Sequence, residues 1–329
     1  MLTADMPSHR HNHVVQKGYL NLFARDERIV SHFVGSDVTK EISTNDAAVR
    51  KNFYVTTWPD GTRSATLETA MNKLETPVPA ILRRIERDWP LAEDDRSALA
   101  EYLALQAVRS PAWDHEYRDM TATWLREKRD HYDHTDEQWA SLEAHVTSDA
   151  HRHESMIENQ HKLTTLVGSM HWTLLVFSNE RLVTSDHPLV VMSSEVGAPS
   201  GAIPKGGMTE AVEFIFPVGP RRALLLTWID GIDEQQPRQC NARVASAINA
   251  HVLANAQHQW FTTPGSRAEP PLDGPAEPIS YDIYEGSYSL KVAAYSERRR
   301  EVLAILNEWI ESDTKKTAIP IIRALPAYQ

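Results

Sequence analysis

Three histidines stand at alternate positions in His9-Arg10-His11-Asn12-His13, near the start of the chain. In an extended segment, a period of two puts all three imidazoles on one side. That is a common way to present rings to one ion or one anionic ligand. The plainer reading is a solvated histidine-rich arm, since the first residues of a chain are often poorly tied down. A carboxylate follows much later, in Ser185-Asp186-His187-Pro188. Placed at a strand end beside an imidazole, it suits a metal ligand or a general base. The structural alternative is an Asx-turn, in which Asp186 satisfies nearby backbone amides.

Glu68 and Glu75 are seven residues apart, two helical turns along one face. They are candidates for a further ligand or a base, and a solvated helix face is the competing account. Arg109 ends an otherwise apolar helix. Its planar fork suits a phosphate or carboxylate, although it would also complement a helix C-terminus. His151, Glu154, Glu158 and His161 share one helical face and resemble the Glu-x-x-His pairs of di-metal bundles. Met156, Leu163, Val167 and Met170 supply the core stripe of the same segment, so the four polar residues are expected to face water.

The elements that must position these residues follow from periodicity. Val14 to Phe23 reads as one or two helical turns, and Arg28 to Val34 and Asn52 to Trp58 as short strands, the second closed by Trp58-Pro59-Asp60-Gly61. From about Thr62 the chain turns helical. Pro77 and Pro79 split the first stretch, and a second helix spans Leu91 to Arg109. A third opens at Ser110-Pro111. A fourth starts from the capping box Thr135-Asp136-Glu137-Gln138, and a fifth runs from Asp149 to about Met170. Strands are expected over 171–177 and 181–184, joined as a hairpin, then at 189–192, 212–218 and 222–228. Helix returns over 238–261. A Pro/Gly-rich tract from Thr263 to Pro278 and a final helix over 296–312 complete the chain.

The 329 residues carry a net charge of −11, which argues against a dedicated duplex-DNA binder, whose footprint is usually basic. Cys240 is the only cysteine, so an intrachain disulfide and any multi-cysteine metal site are excluded. No run approaches the ~20 apolar residues of a membrane span. The polar opening has no apolar signal region, so the expected location is cytoplasmic. No Gly-x-Gly-x-x-Gly, Walker loop or Gly-x-Ser-x-Gly elbow occurs.

Several short motifs now fall in order. The opening, with His11, His13, Tyr19, Leu20 and Phe23, resembles the His-His-Tyr-Val-Pro…Tyr-Leu…Phe start of the domain-of-unknown-function family 4238. So do Lys51-Asn52-Phe53-Tyr54 followed by helical Glu68 and Glu75, and Gln106…Arg109-Ser110-Pro111. The Thr184-Ser185-Asp186-His187-Pro188 turn and the Phe216-Pro217-Val218-Gly219-Pro220 strand exit extend the match to roughly residues 9 to 260. Asn12 separates histidines that the family holds closer together, and Val15-Gln16 stands where its proline is expected. The resemblance implies an architecture and a residue list rather than a reaction.

The expected fold is α+β: a central helical bundle packed with short N-terminal strands and an antiparallel sheet from the C-terminal half. Residues 1–262 would form the family-like domain, with the irregular segment and last helix of 263–329 packing on it. The leading functional expectation is a metal-assisted hydrolase acting on a phosphoester or nucleic-acid-like substrate. His11, His13 and Asp186 would hold a divalent metal (Zn, Mn or Fe), with Glu68 or Glu75 as a further ligand or base. Arg109 and Lys51 would neutralise the developing anion. The alternatives are a non-catalytic binding module for an anionic ligand or nucleic acid, and a metal-dependent oxygenase built on the His151 to His161 helix. A small anionic substrate or nucleic acid is the expected partner, and no membrane.

Overall fold

The structure, a computed structural model, describes residues 12–50, 56–57, 63–64, 66–109, 111–129, 131–193, 210–271, 279 and 296–308. His9, His11, Lys51, the Asn52–Tyr54 motif, the Trp58–Gly61 turn and Ser110 lie outside these residues. The fold is α+β, with helices packed against several antiparallel sheets.

The organising layer is a five-stranded sheet of β7 (His171–Val176), β9 (Val190–Ser193), β10 (Ala211–Gly219), β11 (Arg222–Thr227) and β12 (Arg238–Gln239). Its order is β12-β7-β11-β10-β9, antiparallel except where β12 runs parallel to β7. The strands read as unbroken apolar runs because both faces are covered. Alternation then sorts their side chains into two cores. Trp172, Leu174, Phe214, Phe216, Leu224 and Leu226 join the larger core with the helical bundle. Leu175, Ile215, Ala223 and Leu225 pack on the other side, against α8 (Ala242–Asn255).

In the bundle, α4 (Glu93–Val108) packs against α7 (Asp149–Ser169) and is buried almost all round from Leu99 to Val108. Ahead of it, α2 (Thr66–Glu75) and α3 (Val78–Arg84) are separate helices broken at Thr76-Pro77, as the prolines require. After it come α5 (Pro111–Arg129) and α6 (Asp136–Val146). The expected capping box is present: Thr135 Oγ1 accepts from the Gln138 amide at 3.2 Å, while the Gln138 side chain accepts from the Thr135 amide at 2.9 Å. A last helix, α9, covers 297–308, and its Val302 and Leu306 join the larger core.

A second, four-stranded sheet has the order β3-β2-β13-β8, from β2 (Arg28–Phe33), β3 (Thr39–Ser43), β8 (Thr184–Ser185) and β13 (Gln259–Thr262). Here two expectations change. The 171–177 and 181–184 segments do not form a hairpin. The first pairs with β11, whereas the chain crosses over so that Thr184–Ser185 pairs with β13 in the other sheet. Gln259–Thr262 is a strand rather than the end of a helix: α8 stops at Asn255, and the aromatic pair Trp260-Phe261 is inserted between β2 and β8. Two small pairs complete the described strands, β1 (Asn12–His13) with β4 (Val49–Arg50) and β5 (Thr56–Thr57) with β6 (Arg63–Ser64).

Candidate functional site

The histidine-bearing segment enters the core as β1, held by pairing of Asn12 with Arg50 and His13 with Val49. It continues into α1 (Lys17–Leu20), whose Tyr19 and Leu20 are fully buried. The seat is close-fitting. A Cβ on Gly18 would stand 2.5 Å from the ring Cγ of Pro79 on α3, so glycine is required there by packing. The Tyr19 hydroxyl ties the segment to both sheets, donating to the Pro217 carbonyl at 2.7 Å and lying 2.7 Å from Thr184 Oγ1.

The strand period bears on the candidates directly. It places Asn12 on the opposite side from His13, and Asn12 is the residue driven into the core, 1% exposed. His13 is half-buried. Arg109, the C-cap of α4, reaches across to both neighbours: its guanidinium donates to the Glu75 carboxylate and to the His13 carbonyl. Gln16 adds a bond from Nε2 to the Glu75 carbonyl at 2.8 Å. Arg109 and Glu75 are therefore a buried ion pair joining α4, α2 and the strand that carries His13. Glu75 is not on a solvated face, and Arg109 is not free to neutralise a substrate by itself.

Burial is the main influence on the His13 ring and holds its pKa below the usual histidine value. Hydrogen bonds with the Thr44 and Asn45 backbone pull the other way, while Arg109 and Lys17 reinforce the lowering. Nε2 is buried and has no partner among the described residues, so the ring's bonds to the backbone run through Nδ1. Burial thus disfavours the charged ring, and Nε2 is the ring nitrogen left enclosed without a partner among the described residues. Metal-ligating and general-base histidines are commonly oriented in this manner. Both side-chain atoms of Asn12 also lack partners among the described residues, as do Gln106 Nε2 and the Tyr102 hydroxyl. Tyr102, Gln106 and Arg109 lie on one face of α4 at i, i+4 and i+7. Tyr102 meets Phe216 edge-on and Arg109 meets His13, so Gln106 sits between these ends. Leaving such groups without partners costs about 1–3 kcal/mol each, which is why buried polar atoms in native folds find protein, water or ligand.

Asp186 has a different fate. One carboxylate oxygen accepts from the Gln257 amide at 2.8 Å, the other from His258 at 2.9 Å and Gln259 at 3.3 Å. Burial raises its pKa and these amides oppose the rise. Beside it, burial pushes fully enclosed His187 down to about 4. Asn255 Nδ2 donates to the His187 and Leu189 carbonyls at 2.7 and 2.9 Å. The Ser185–Pro188 turn is thus stapled to the exit of α8. Among the described residues, no three His, Cys, Asp or Glu side chains gather as a metal site requires. His11 and Lys51 fall outside those residues, and of Glu68 only the place in α2 is described.

The second set also separates. Glu154, Glu158 and His161 are exposed on α7, while His151 is half-buried, with its ring 5.0 Å from that of His145. The buried imidazole of that helix is His153, one residue outside the set, held down to about 4 by burial and by Arg152. Sequence reasoning singled out neither Asn12 nor Asn255 as a working residue. Asn12 had a signal, since it is the odd member of an alternating triplet.

Among the described residues, no helix is long and apolar enough to cross a membrane. No curated protein and no solved structure matches the chain. A family model does match, over residues 11–265, a span that takes in β1, helices α1 to α8, both larger sheets and every residue of the His13 cluster described above. By that match the chain belongs to the family described as protein of unknown function DUF4238.

Proposed function

We propose that the polar core around His13 is the site of a metal-assisted hydrolase acting on a phosphoester or nucleic-acid-like substrate. One observation carries the reading: a half-buried imidazole whose enclosed Nε2 has no partner among the described residues, next to an Asn12 amide in the same condition. His13 Nε2 is the ligand, and His11, two residues earlier in the sequence, is the second. Glu68 lies two turns before Glu75 on α2 and is the carboxylate for a third position or for a bound water. These residues would hold a divalent metal, whose chemistry there would be to activate a water near neutral pH and to act as a Lewis acid. Arg109 and Glu75 fix the backbone of His13, and Lys51 is left as the cation for the developing anion. Asp186 serves this reading as a positioning residue, since both its oxygens are engaged by backbone amides.

The test is elemental analysis of tag-free protein purified without chelator, beside phosphodiesterase and phosphomonoesterase assays. Near-stoichiometric zinc, manganese or iron, lost in His13→Ala together with hydrolysis, is the expected result. Protein with no metal, and no thermal stabilisation on adding any, would overturn the reading. It would favour instead a non-catalytic binding module for an anionic ligand, to which Asn12 Nδ2 offers a donor without a partner among the described residues.

A further inference from the structure

Away from that site, a cavity of about 360 Å³ opens between α5, α6 and the first turn of α7. Four arginines line it, Arg118, Arg126, Arg129 and Arg152, against one carboxylate, Glu143. In the whole chain, acidic residues outnumber lysine and arginine 45 to 34, so the lining reverses the protein's balance. Among the described residues, nearby acids pair firmly with only two of the four arginines. Asp149 accepts from Arg152 at 3.3 Å. Asp114 is shared, accepting from Arg118 at 3.1 Å and from Arg152 at 2.8 Å. Among the described residues, the one carboxylate that Arg129 meets is Asp136, at 3.8 Å and fully exposed, and its guanidinium lies 5.8 Å from the Trp139 ring. Arg126 donates to Thr123 Oγ1 at 3.0 Å and pairs with no carboxylate among the described residues. Arg152 forms the inner end, its side chain 13% exposed and its Nε without a partner among the described residues.

The floor is apolar. Trp139, Leu142 and Val146 form a small cluster of their own, apart from both large cores, with Leu125 packed against it. Cations along one side of a helix repel one another, and an anion between them removes that cost. A phosphate dianion has three acceptor oxygens for forked donors, which suits several arginines better than one carboxylate would. The cavity is near the lower end of the ~300–1,000 Å³ range of ligand pockets. We infer that this cleft binds a phosphate monoester with an apolar body, about the size of a mononucleotide. Its phosphate would meet Arg126 and Arg129, and its body would lie against Leu125 and Val146.

This site is independent of the His13 reading, and calorimetric titration of the full chain tests it. The probes are adenosine monophosphate, hexyl phosphate, inorganic phosphate and octanoate. At least one ester is expected to bind, with inorganic phosphate at least about tenfold weaker and added salt weakening both. Arg126→Gln with Arg129→Gln should reduce ester binding at least about tenfold, as loss of charge-assisted bonds requires. Both side chains are exposed, so the variant should keep its melting temperature. His13→Ala should leave ester binding unchanged. A preference for the nucleotide or for the alkyl ester identifies the natural body. Absence of ester binding at millimolar concentration, binding that survives the double variant, or tighter binding of octanoate than of hexyl phosphate would each overturn the assignment.

Discussion

The Asp186 corner and the His13 strand are both buried polar regions, and they treat their polar atoms in opposite ways. At the corner, three backbone amides meet one carboxylate, and Asn255 closes the carbonyls on either side of Pro188. At the strand, Arg109 and Glu75 satisfy each other and the His13 main chain, while Asn12 and the His13 ring nitrogen lack partners among the described residues. A carboxylate engaged on both oxygens is holding the fold together. An imidazole whose Nε2 is enclosed without a partner among the described residues is the one on which the hydrolase proposal rests. The contrast separates residues that look equally reactive in the sequence.

The contrast can be broken most forcefully at Arg109. Arg109→Ala leaves the Glu75 carboxylate buried without its cation and should destabilise by about 3–5 kcal/mol in urea unfolding. Arg109→Met combined with Glu75→Leu should recover most of that, because an apolar pair of similar volume carries no uncompensated charge. A loss below about 1 kcal/mol for the single variant would mean that the pair is solvated.

Acid comes next. His187 and His153 are held near 4 in the fold, below the ordinary value near 6.5. Above 6.5 neither state is protonated, and the rings do not make stability depend on pH. As pH falls from 6.5 to 4, the unfolded chain takes up protons that the folded chain refuses. Stability should drop across that window, by up to about 3 kcal/mol per ring, and level off below it. A flat unfolding free energy between pH 7 and 4 would contradict the burial of these rings.

Asp186→Asn should follow, at about 2–3 kcal/mol, since an NH2 group would face backbone amides that need an acceptor. Its metal content should be unchanged. The smallest stability effect is expected from His13→Gln, within about 1 kcal/mol, yet under the proposed hydrolase function that variant should lose metal and hydrolysis. If Asp186→Asn lost the metal while His13→Gln kept it, the two regions would have exchanged roles.

The helical bundle was legible because its signals are local. The Pro77 break, the Thr135 capping box and the 3.6-residue stripe of α7 all lie within a few residues of what they control. The strands at 171–176 and 222–227 were equally plain as apolar runs. Pairing was not, because it depends on partners far along the chain: nothing near Arg181 says that Thr184 will leave the sheet of β7 for that of β13. The polar edge strand Thr39–Ser43, with three exposed residues, carried no hydrophobic pattern and went unread. In the site, residue types were legible and their commitments were not. Asp186 has the same composition-level signature whether it holds a metal or three amides. Only the return of Gln257–Gln259 from more than seventy residues away decides which.

The Tyr19 hydroxyl has a consequence for how this protein is made. Its two contacts, at Thr184 and Pro217, lie 165 and 198 residues further along the chain. During synthesis the histidine-bearing segment therefore leaves the ribosome long before these two partners of its tyrosine exist. The helical bundle can assemble first, as domains and locally connected elements do. The candidate site is completed only once β10 has emerged and closed over the oldest part of the chain.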